Sequence, residues 1–64
     1  MDSWRTKYIV NMELSNNITL MNYWNLIAGH PETPSDRILH AQNKVTILAK
    51  QKKLLQEELK IALN

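Results

Sequence analysis

Residues 36–63 read DRILHAQNKVTILAKQKKLLQEELKIAL. Within this stretch Ile38, Ala41, Val45, Leu48, Lys52, Leu55, Leu59 and Ala62 recur at alternating steps of three and four. An α-helix turns once every 3.6 residues, so these positions share one face, the seam along which a helix lies lengthwise against another. The stretch is rich in Leu, Ala, Lys, Gln and Glu, all strong helix formers. Lys53 and Glu57 stand four apart and Glu57 and Lys60 three apart, spacings at which opposite charges meet on a solvated helix surface. The reading is one helix from about residue 36 to residue 63. Its length demands a neighbour of similar length.

Immediately before it, Gly29-His30-Pro31-Glu32-Thr33-Pro34-Ser35 contains the single Gly and both Pro of the chain. Gly after an apolar run, with Pro two residues later, stops a helix. Ser35 or Asp36 then offers a side-chain oxygen to cap the next one. The connection is therefore placed at about 29–35, with a first helix over about 3–28 capped by Asp2 or Ser3. In that first helix Val10, Leu14, Asn17, Met21, Trp24 and Ala28 form one three-four stripe. Tyr8, Met12, Thr19, Tyr23 and Leu26 lie on the opposite side, so the helix is expected to be buried on two sides. A rival reading makes residues 7–22 a β-hairpin. There Tyr8, Val10, Met12 and Leu14 alternate with Asn11 and Glu13, and Ser15-Asn16-Asn17 turns the chain into Ile18-Thr19-Leu20. The helical reading is preferred. It gives an all-α chain, one domain over 1–64, built as an antiparallel two-helix hairpin that dimerises into a four-helix bundle.

Size supports an assembly. A chain of 64 residues buries a thin core and needs a staple or a partner subunit. With no Cys there is no disulfide, and His30 and His40 alone fall short of a structural zinc site. No apolar run reaches the roughly 20 residues of a membrane span, and Met1-Asp2-Ser3-Trp4-Arg5 does not read as a secretory leader. A cytoplasmic protein with no membrane partner is expected. The formal net charge of +2 is modest for a nucleic-acid binder.

Signals for chemistry are sparse. The sequence has no nucleotide-binding Gly-rich loop, no nucleophile elbow and no paired-His metal motif. His30 reads as an exposed turn residue. Glu57 and Glu58 are adjacent, point in different directions, and read as a solvated surface. The expectation is a non-enzymatic protein without a cofactor or metal. Lys52 interrupts the seam, with its stem along the apolar surface and its ammonium in water.

His40, Ile47, Leu54 and Ile61 recur every seven residues on the side of the second helix away from the seam. A hairpin uses only one face of each helix, so this second stripe is expected to contact another protein or a second copy. Trp4 is the aromatic expected to join that contact, Tyr8 and Tyr23 are assigned to the core, and Trp24 is left open. The function expected is a small protein-binding regulator or inhibitor, and its small size and lack of recognisable chemistry fit an origin in a phage or mobile element. The alternative is a dimeric bundle that binds RNA or DNA phosphates through Arg37, Lys44 and Lys53.

Size and hairpin plan resemble those of small bacterial regulators built from two antiparallel helices, including the short sporulation aspartyl-phosphate phosphatases. That resemblance implies a Ser-x-x-x-Asp motif in the second helix. The nearest stretch here reads Ala41-Gln42-Asn43-Lys44-Val45, with neither Ser nor Asp in place. The phosphatase activity is therefore not carried over.

Overall fold

The structure, a computed structural model, describes residues 5–63. It contains two helices, α1 (Lys7–Gly29) and α2 (Ser35–Ile61), packed against each other as an antiparallel hairpin. The Cα envelope measures 45 × 18 × 12 Å. Two helices lying side by side make up this elongated single layer.

Among the described residues there is no strand, and α1 runs unbroken through Ser15-Asn16-Asn17. The β-hairpin reading of residues 7–22 is thus overturned. Tertiary packing overrides the weak local propensity: Asn17 turns inward and donates across the interface to the second helix, while the Thr19 hydroxyl is spent on the Ser15 carbonyl at 3.0 Å.

The shared seam brings Val10, Leu14, Asn17, Met21, Trp24 and Ala28 of α1 against Ile38, Ala41, Val45, Leu48, Lys52, Leu55 and Leu59 of α2, all buried or half-buried. Val10 and Ala41 have no exposed surface, and Leu48 is 8% exposed. Asn17, at 4% exposure, donates from Nδ2 to the Leu48 carbonyl at 2.9 Å, and its Oδ1 is buried without a hydrogen-bond partner. Only one side of α1 is covered. Tyr8, Met12, Tyr23 and Leu26 are exposed, which corrects the expectation of a helix buried on two sides and of Tyr8 and Tyr23 as core. A single neighbour simply has no second surface to offer.

The ends of the helices differ from the expected caps. Thr6, not Asp2 or Ser3, caps α1, its Oγ1 accepting from the Ile9 amide at 3.3 Å. Gly29 is the last residue of α1 with an ordinary negative φ, and His30 occupies the C-cap. Thr33 then closes the connection, its Oγ1 donating to the Ile27 carbonyl at 2.7 Å. Helix α2 starts at Ser35 with Pro34 in the cap position and no side-chain cap, so neither Ser35 nor Asp36 plays that part. The Pro34 carbonyl accepts from Arg37 and Ile38, and Asp36 instead lies in the first turn, where a negative charge suits the helix dipole. At the far end α2 stops at Ile61. Leu63 is extended and forms an isolated parallel bridge with Thr6. The Lys7 amide donates to the Leu63 carbonyl at 2.6 Å, and the Leu63 amide donates to the Arg5 carbonyl at 3.0 Å.

Replacing Leu48 by Ala is expected to lower the unfolding free energy by about 2–5 kcal/mol, because it opens a cavity in the only seam. Leu39→Ala, at an exposed position away from that seam, should cost under about 0.5 kcal/mol. Urea denaturation of both variants checks this, and equal losses would contradict the seam as the core.

Candidate functional site

Within the second stripe of α2, Leu54 reaches the flank where the helices meet. Leu54 shares a cleft of about 410 Å3 with Leu20 and Asn16 of α1 and with Gln51, Leu48 and Leu55 of α2. Arg5, Glu13 and Glu58 close one end of that cleft. Beyond its other end a second cleft of about 420 Å3, near the connection, is lined by Tyr23, Trp24, Ile27, Thr33, Arg37 and His40 among others. Ile47 falls between His40 and Leu54 on the seven-residue repeat, and Ile61 continues it past Leu54. The side of the hairpin that carries the two clefts thus brings Leu20, Tyr23 and Ile27 of α1 beside His40 and Leu54 of α2, while the repeat drifts about 20° per seven residues and carries Ile61 further from the seam.

The reverse face is different. Continuing the two helical wheels, it carries Asn11, Asn22 and Asn25 of α1 with Gln42, Thr46, Lys53, Gln56 and Lys60 of α2, all exposed. Ile18 is the large apolar residue among them, 42% exposed. One layer thus has an apolar side and an amide-and-lysine side. On the apolar side Leu54 is 65% and Leu20 48% exposed.

The sequence-derived residues distribute as follows. Ile47, Leu54 and Ile61 are exposed, and of the three Leu54 lines a cleft. His40 is exposed too, but its ring stands edge-on to Trp24, with centroids 5.4 Å apart, and Trp24 in turn meets Tyr23 edge-on at 5.0 Å. His40 therefore belongs to an aromatic row at the end of the groove. Trp4 lies outside the described residues. Ala62 is half-buried beyond the end of α2 and does not extend the helical seam. Arg37 and Lys44 sit on the groove side and Lys53 on the reverse, so these three cations do not make one stripe. His30 is exposed, its Nδ1 accepting from the Glu32 amide at 3.2 Å.

Glu58 corrects the reading of Glu57-Glu58 as a solvated pair. Its carboxylate receives the Arg5 guanidinium through two nitrogens, Nε at 2.7 Å and Nη2, while Nη1 of the same group pairs with Glu13. These hydrogen bonds, to Glu58 first and Glu13 second, hold the Arg5 pKa further above its ordinary value. The guanidinium thus links the segment before α1 to both helices. Arg5 and Glu58 are 53 residues apart, and no periodic signal connects them. The polar roles of Asn17 and Thr33 were equally silent, since the seam pattern marks a position and not a hydrogen bond.

Among the described residues no cluster of three or more His, Cys, Asp or Glu could hold a metal ion, and no helix is long and apolar enough to cross a membrane. What the groove offers chemically is apolar side chains, carboxamides and a fixed ion-pair cluster at one end. No protein-family profile, curated protein or solved structure matches the chain.

Arg5→Gln should release the segment before α1 from both helices. The expected result is loss of amide hydrogen-exchange protection at Lys7 and Leu63, while amides at Ala41 and Leu48 keep theirs. Retained protection at Lys7 and Leu63 would show that the backbone bridge stands without the guanidinium.

Proposed function

We propose that this chain is a small non-enzymatic regulator or inhibitor that acts by binding another protein through its apolar face. The observation that carries the reading is the two-sidedness of the hairpin: Leu20 and Leu54 stand exposed in one cleft with Tyr23 in the next, against Asn, Gln and Lys on the reverse. Soluble monomers rarely leave so continuous an apolar strip in water, and such strips mark contact surfaces. The mechanism is occlusion, a rigid pair of helices laid over a partner's surface. The strip gives area, Tyr23 and Trp24 give aromatic anchors, and the groove gives a socket for a protruding side chain. The folded unit in the cell is an assembly, and the cytoplasm is the compartment this reading expects.

Support for the phosphate-binding alternative weakens with the divergence of Arg37 and Lys44 from Lys53. A phosphate backbone needs its cations on one track.

The test compares the wild-type chain with Leu54→Asp/Ile61→Asp and with Gln42→Asp/Gln56→Asp in affinity capture from cells that produce the protein. A partner seated on the apolar face should bind the first double variant roughly 100-fold less tightly or worse, since two buried anchors each become a desolvated charge. The second double variant, on the reverse face, should bind as the wild type does. Equal capture by all three would rule out the apolar face as the binding surface.

A further inference from the structure

We draw no further inference here: the strongest candidate, the cleft toward the open end of the hairpin where Leu20 and Leu54 stand exposed beside the Arg5, Glu13 and Glu58 cluster, carries nothing beyond the binding face already proposed, because nothing in the structure shows what covers it.

Discussion

A helix with one neighbour can cover one strip of its own surface and no more. Two helices of 23 and 27 residues therefore share a single seam, and each must do something else with its remaining circumference. On much of that circumference this chain places Asn, Gln, Lys and Glu, with Tyr8, Met12, Leu26 and Leu39 standing exposed among them. On one flank of each helix it places Leu, Ile and Tyr instead, and the antiparallel turn brings those flanks to the same side. Sheer lack of neighbours turns a pattern along each helix into a face of the molecule.

The seam is thin, and polar devices hold it together at three levels. In the middle, Asn17 reaches across to the Leu48 carbonyl. At the connection, Thr33 ties back to the last turn of α1 through the Ile27 carbonyl. At the open end, Arg5 grips Glu13 and Glu58 while the backbone of residues 5–7 pairs with Leu63. Each lies where apolar contact alone would let the helices slide or splay. Partly covered contacts of this kind add modestly to overall stability, but they fix register and keep the ends from fraying.

Much of this was legible in the sequence. Three-four spacing found the seam residues of both helices, because one face of a helix is a local property of spacing. Gly29 and the two prolines located the connection, though the capping atoms came from Thr6 and Pro34 and not from Asp2, Ser3, Ser35 or Asp36. The seven-residue repeat through Ile47, Leu54 and Ile61 picked out the exposed stripe. It could not say that Leu20 and Tyr23 lie beside it, since that depends on how the two helices are rotated about their seam. Glu58 was misjudged for the same reason: its partner sits 53 residues away, beyond any pattern within one helix. Trp24 and His40 met only when the chain folded back on itself.

The bridge between Thr6 and Leu63 has a topological consequence. It sets the start of one helix and the end of the other side by side, joined by two backbone hydrogen bonds. A short linker between these points would close the chain into a ring without disturbing either helix. The exposed segment His30-Pro31-Glu32 would then be the natural place to open it. The molecule is thus suited to circular permutation, in which the order of its helices is exchanged and the groove between them keeps its shape.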